Sequence, residues 1–179
     1  MLSDSFWTTK FATLRYAIAW LGYGLMRALV MLPYPLQLKL GRGLGRLAYS
    51  LLGERRRIAA RNIDTCLPER SSSERARILK EHFESLGLSI VEMGMGWFGD
   101  PSAVRARIDI DGAEHLAAAL ANGKGVILFS AHFTTFEFYW AALRPLCTKL
   151  CGMYKWQRNP VMNRVMNPGR GRYFDTLFA

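Results

Sequence analysis

The sequence predicts an α/β protein in which amino-terminal, membrane-associated helices precede βαβ units around a mostly parallel sheet. Three observations carry this reading. Residues 11–32 are mostly apolar, and Leu14, Ile18, Leu21, Leu25, Ala28 and Leu32 fall close to one helical stripe. From about residue 100, short apolar runs alternate with helical patterns. Within that region, Val126-Ile127-Leu128-Phe129 follows the turn residues Asn122-Gly123-Lys124-Gly125 as a buried strand would.

Taken in order, Trp7, Tyr16, Trp20 and Tyr23 place interfacial aromatics on and beside the first apolar stretch. No short apolar region ends in a small-residue cleavage site, so a secretory leader is not expected. The window between Arg15 and Arg27 is short for a membrane span. A mid-membrane Arg costs about 2.5–3.5 kcal/mol on insertion scales, so a tilted span and an in-plane amphipathic helix both stand. Pro33-Tyr34-Pro35 ends this helix. A second helix runs over 36–52, where Gly41, Gly43 and Gly45 permit close packing, and Glu54-Arg55-Arg56-Arg57 opens a basic third. After Arg70-Ser71-Ser72-Ser73-Glu74 a further helix carries Leu79, Phe83, Leu86 and Ile90 inward.

Strands are expected at 107–110, 125–130 and 150–154, with helices at 112–122 and from Thr135. Thr134 and Glu137 match the S/T-x-x-E capping box. The organisation expected is a membrane-associated helix over 1–35 and an α/β domain over 36–179, with a further strand beginning at the end.

The chain carries 24 Lys and Arg against 14 Asp and Glu, a net +10. The excess is concentrated in residues 1–61, where ten cations face only Asp4 and Glu54. A basic segment beside an apolar helix implies an anionic membrane surface or an acidic partner. No nucleic-acid-binding motif is present, so nucleic acid is not expected as a partner. Cys66, Cys147 and Cys151 form no disulfide framework and no zinc-ligand pattern, and no metal or cofactor is expected.

The chemistry centres on His132 and Glu137. Five residues apart, they would point about 140° away from each other within one helix. They can meet if His132 sits in the turn before the helix and Glu137 in its first turn. An isolated match of this kind is most often a surface His followed by a capping Glu; the strand, turn and helix around it favour a site.

Glu114-His115-Leu116, Ala119-Leu120, Gly123-Lys124-Gly125-Val126-Ile127-Leu128 and His132-Phe133-Thr134-Thr135-Phe136-Glu137 resemble the active-site block of the bacterial lipid A biosynthesis (late, lauroyl and myristoyl) acyltransferases. These belong to the glycerolipid acyltransferase superfamily, which uses His-x4-Asp or His-x4-Glu. The Arg55–Ile63 helix, Leu67-Pro68-Glu69 and the Tyr154–Arg172 block resemble further parts of that family, although Asn167-Pro168-Gly169 departs from its usual plain helix. The resemblance implies that the chain corresponds to the amino-terminal part of the family's domain, incomplete at the carboxyl end. It also implies a place at the inner membrane, with the catalytic part on the cytoplasmic face.

It implies transfer of a fatty acyl group from acyl-acyl carrier protein to a hydroxyl of a lipid A precursor. A free hydroxyl is a weak nucleophile, so His132 is the expected base, oriented by Glu137. No Gly-x-Ser-x-Gly elbow occurs, which favours direct attack by the bound acceptor over an acyl-serine. Arg164, Arg170 and Arg172, with Arg158 beside them, are candidates for phosphate or carboxylate contacts. Three rival readings share these residues. They are acylation of another membrane lipid (a glycerophospholipid, an ornithine lipid or a phosphatidylinositol mannoside), a non-catalytic membrane-anchored lipid-binding protein, and a hydrolase using His132 to activate water.

Overall fold

The computed structural model describes residues 14–178. The start of the expected first helix, with Trp7, lies outside the described residues.

Two units divide the chain. One is Leu32–Glu92. Pro33 (φ −56°) stands as N-cap to α2 (Tyr34–Leu51), and Leu52 is shared as a cap with the basic α3 (Gly53–Cys66). The long α4 (Ser72–Phe98) contributes its residues up to Glu92 here. It opens with a true capping box: the Glu74 N–H donates to Ser71 Oγ at 3.2 Å, and the Ser71 N–H donates to Glu74 Oε2 at 2.9 Å. The Ser71 N–H foremost, and then the Ser71 hydroxyl, both donating to the carboxylate, hold the Glu74 carboxyl below its ordinary pKa. Gly41 and Gly45 of α2 are buried against α4, and a Cβ at Gly87 would fall within 3.0 Å of the backbone of both. A close crossing of this kind admits no side chain, as the sequence anticipated for Gly41 and Gly45; Gly43 faces open space. Phe83 and Leu79 fill the remaining contact, with Tyr49 edge-on to Phe83 at 5.5 Å.

The other unit joins residues up to Met31 to those from Met93 onward. It holds α1 (Leu14–Val30), the end of α4, α5 (Pro101–Arg105), α6 (Ala113–Ala121), α7 (Phe136–Leu143), a 3₁₀ turn (Arg144–Leu146), β1 (Cys151–Met153), α8 (Pro160–Gly171) and β2 (Thr176–Phe178). Asp100 caps α5 by accepting from the Ser102 N–H at 3.0 Å, and Asn159 caps α8 by accepting from the Val161 N–H at 3.0 Å. Gly123 (φ +69°) ends α6 in the left-handed conformation expected of it. Trp97, Met95, Val104, Phe138, Ala141, Leu150, Val161, Met166 and Tyr173 form the core.

The chain is therefore mostly helical with a small parallel sheet. β1 and β2 pair in parallel, Cys151 opposite Thr176 and Met153 opposite Phe178, with α8 between them in sequence. The expected strand at 150–154 is realised, whereas those at 107–110 and 125–130 are not. At 106–108 the backbone N–H groups turn back onto Ser102, Val104 and Arg105, so helix-end bonds take the donors a ladder would need. Residues 125–130 have no strand beside them among the described residues. Ile127 and Phe129 are 97% and 101% exposed, while Val126 and Leu128 turn partly inward. A buried parallel strand needs neighbours on its edges and cover on both faces, and this segment has neither in full. Among the described residues, no helix is long and apolar enough to cross a membrane.

Candidate functional site

Helix α7 begins at Phe136, one residue later than expected, with Thr135 as an N-cap that makes no side-chain bond. The anticipated capping box of Thr134 and Glu137 is therefore absent. Glu137 does not fold back to the cap because stronger partners hold it. It is buried, and its Oε2 accepts from Trp97 Nε1 at 3.0 Å. Arg170 closes on it from the end of α8. Its Nε lies 3.1 Å from Oε1 and 3.3 Å from Oε2, and a terminal nitrogen lies 2.5 Å from Oε1. Charge-assisted, forked contacts outcompete a neutral cap. Both side chains are largely withdrawn from water, at 8% and 17% exposed.

The surroundings are built to admit this pair. Gly169, just before Arg170, is the only residue type that fits, since a Cβ there would meet the Trp97 side chain at 2.7 Å. Arg172 donates to the Trp97 carbonyl at 3.1 Å, and the buried Tyr173 hydroxyl donates to the Gly96 carbonyl at 3.0 Å. Burial raises the Tyr173 phenol above its ordinary pKa. The sequence pointed to Glu137 and Arg170 but not to each other. It gave no sign of Trp97, whose Met-Gly-Trp-Phe setting reads as ordinary helix core.

His132 lies in the loop ahead of α7, as the spacing required, and it is exposed. Its ring stacks on Phe136 at 4.6 Å and 16°, and it forms no hydrogen bond among the described residues. The structure thus does not join His132 to Glu137 by a direct bond. It joins them through Phe136, the residue before Glu137. Arg170 also sits 5.7 Å from the Phe136 ring centroid. Of the remaining arginines, Arg158 and Arg164 are exposed and make no hydrogen bond or ion pair among the described residues.

Phe136 and Arg170 border a cavity of about 780 Å³, a size typical of small-molecule pockets. Leu116, Leu120, Val126, Leu128, Trp140 and Leu177 give it a mainly apolar wall. The Trp140 indole N–H is buried with no acceptor among the described residues.

A family model described as bacterial lipid A biosynthesis acyltransferase matches residues 6–177. The chain belongs to that family. Among curated acyltransferases of this family, it is 35% identical over 158 residues to the lipid A biosynthesis palmitoleoyltransferase of Escherichia coli K12. That match covers 88% of this chain and 51% of the relative. The lauroyltransferase of the same organism matches equally, at 35% over 158 residues with the same coverage. Its myristoyltransferase is 31% identical over 169 residues, covering 92% of this chain and 51% of that protein. The chain spans about half the length of the curated relatives it matches. No solved structure matches.

Proposed function

We propose that the full-length protein is an O-acyltransferase of lipid A biosynthesis that moves a fatty acyl group from acyl-acyl carrier protein to a hydroxyl of a lipid A precursor at the cytoplasmic face of the inner membrane. The observation that carries this reading is the Glu137–Arg170 pair at the rim of an apolar cavity, with His132 one ring away. The mainly apolar wall of the cavity suits an acyl chain, and membership of a family whose curated relatives bear acyltransferase names supports the chemistry.

In this mechanism the acceptor oxygen attacks the thioester carbonyl carbon while His132 takes the hydroxyl proton. The carbon–sulfur bond then breaks, and the proton passes from His132 to the departing thiolate. A positioned base of this kind contributes about 10²–10⁴-fold. Glu137 orients His132 indirectly. Its four contacts with Trp97 and Arg170 use about all the lone-pair sites a carboxylate has. That arrangement fixes the first turn of α7, and so fixes the Phe136 ring on which His132 rests. Of the candidate arginines, Arg158 and Arg164 are exposed for acceptor phosphates and Arg172 is held on the Trp97 carbonyl; Arg170 has one terminal nitrogen outside its contacts with Glu137, for a ligand in the cavity. The basic helix α3 suits an acidic carrier protein.

Mass spectrometry of lipid A from cells lacking and overproducing the full-length protein tests the reading. Loss and gain of one acyl chain are expected. An unchanged lipid A in both would overturn it.

A further inference from the structure

Tyr23 reads in the sequence as an interfacial aromatic, yet the structure sets its ring against the end of α4. Two helix faces make the seat. Gly94, Trp97 and Phe98 stand at i, i+3 and i+4 on α4 and so share one face. Tyr23, Met26, Arg27 and Val30 repeat those steps on α1. Met26 and Val30 press on Gly94, where a Cβ would fall 2.7 and 3.1 Å from their side chains. Arg27 lies 5.8 Å from the Phe98 ring centroid. Tyr23, half-buried, meets Trp97 with ring centroids 6.2 Å apart and planes tilted by 43°.

Trp97 is the ring whose N–H donates to the Glu137 carboxylate. The direction of that N–H is fixed by the plane of the indole, so whatever holds the ring aims the donor. Gly169 of α8 packs on the Trp97 side chain, and Tyr23 supplies a second hold from α1. The Tyr23 hydroxyl also donates to Met162 Sδ, about two turns ahead of Arg170 on α8. One side chain of α1 therefore touches both elements that bring donors to Glu137, the end of α4 with Trp97 and α8 with Arg170. A thioether is a weak acceptor, whereas a tilted aromatic pair adds to the packing it buries, so the ring contact carries most of the hold.

We propose that Tyr23 is a positioning residue of the candidate site: its ring sets the Trp97 indole and, through it, the Glu137 carboxylate. Its effect on rate rests on the acyl-transfer reading; its hold on Trp97 does not.

The test uses full-length protein carrying ¹⁵N-labelled tryptophan, with Trp97→Phe identifying the Trp97 indole signal. Tyr23→Met fills the space with an unbranched apolar chain but removes the ring. In this variant the Trp97 indole N–H signal should shift and exchange with solvent faster. Misplaced catalytic groups cost rate steeply, so kcat should fall about tenfold, with KM within about twofold of wild type. Tyr23→Phe keeps the ring and should restore both readouts. Arg27→Gln, on the same face of α1 and exposed, should leave both unchanged. A Tyr23→Met protein with an unmoved indole signal, or with a moved signal and wild-type kcat, would overturn the proposal. So would equal effects from Arg27→Gln, which would show general loosening of α1, or the lack of a nuclear Overhauser contact between the Tyr23 ring and the Trp97 indole in wild type. A wild-type protein that transfers no acyl group would remove the acyl-transfer reading alone, and the indole signal would still decide whether Tyr23 holds Trp97.

Discussion

Arg170 and Glu137, 33 residues apart in the chain, form a forked ion pair whose shortest contact is 2.5 Å, with the Trp97 indole closing the remaining side. This pair fastens the end of α8 to the start of α7, the two elements that bring Arg170 and Phe136 to the rim of one cavity.

Removing one partner leaves the other buried and uncompensated, which costs about 3–5 kcal/mol. Arg170→Met and Glu137→Gln should each destabilise strongly in denaturant unfolding of the full-length protein. The double variant should lose much less than the sum. Additive losses would show that the two side chains do not act as a pair.

Trp97 gives the carboxylate its neutral donor. Trp97→Phe keeps the packing against Gly169 but removes the N–H, a loss of about 1–3 kcal/mol for a buried acceptor left short of a partner. Acyl transfer should show a lower kcat with little change in KM, because the altered group positions the site without binding substrate. A variant with wild-type stability and kcat would exclude Trp97 from the site.

Asp175 ties the sheet together from outside. It accepts from the Leu150 N–H at 2.8 Å and pairs with Arg144 at 2.7 Å, while its own N–H donates to the Leu150 carbonyl at 2.9 Å. The bond from the Leu150 backbone, ahead of that from Arg144, holds its carboxyl below the ordinary Asp value. A lowered folded-state pKa means the stabilisation is fully present above the unfolded value of 3.8 and is lost as pH falls through the lower folded one. Asp175→Asn should therefore be less stable than wild type at neutral pH, and the two should converge in acid. Parallel curves across pH would contradict this.

How much of this was legible in sequence follows from how local each signal is. Helix ends written in proline, glycine and serine came through: Pro33 before α2, Gly123 after α6 and Ser71 at α4. The glycine contact of α2 was also readable, because small residues at four-residue spacing announce close approach. The capping box at Thr134 and Glu137 was misplaced because its sequence pattern is indifferent to a competitor 33 residues away. Glu74, three residues after Ser71, meets no such buried cation and closes a capping box where the sequence reading expects only the start of a helix. Residues 125–130 show the same limit. Their apolar run predicts a strand, but a strand exists only with hydrogen-bonded neighbours, and the sequence of one segment does not supply them. His132 lies ahead of the helix as its spacing required, while its stacking on Phe136 is a ring contact that the H-x4-E spacing does not express.

The central claim is that His132 takes the proton of the attacking hydroxyl. The most direct measurement is single-turnover acyl transfer from acyl-acyl carrier protein to a lipid A precursor by purified full-length protein, wild type against His132→Ala. Because His132 is exposed and unbonded, the substitution should leave the melting temperature nearly unchanged. The rate should fall about 10²–10⁴-fold. A His132→Ala protein that transfers the acyl chain within threefold of wild type would contradict the account.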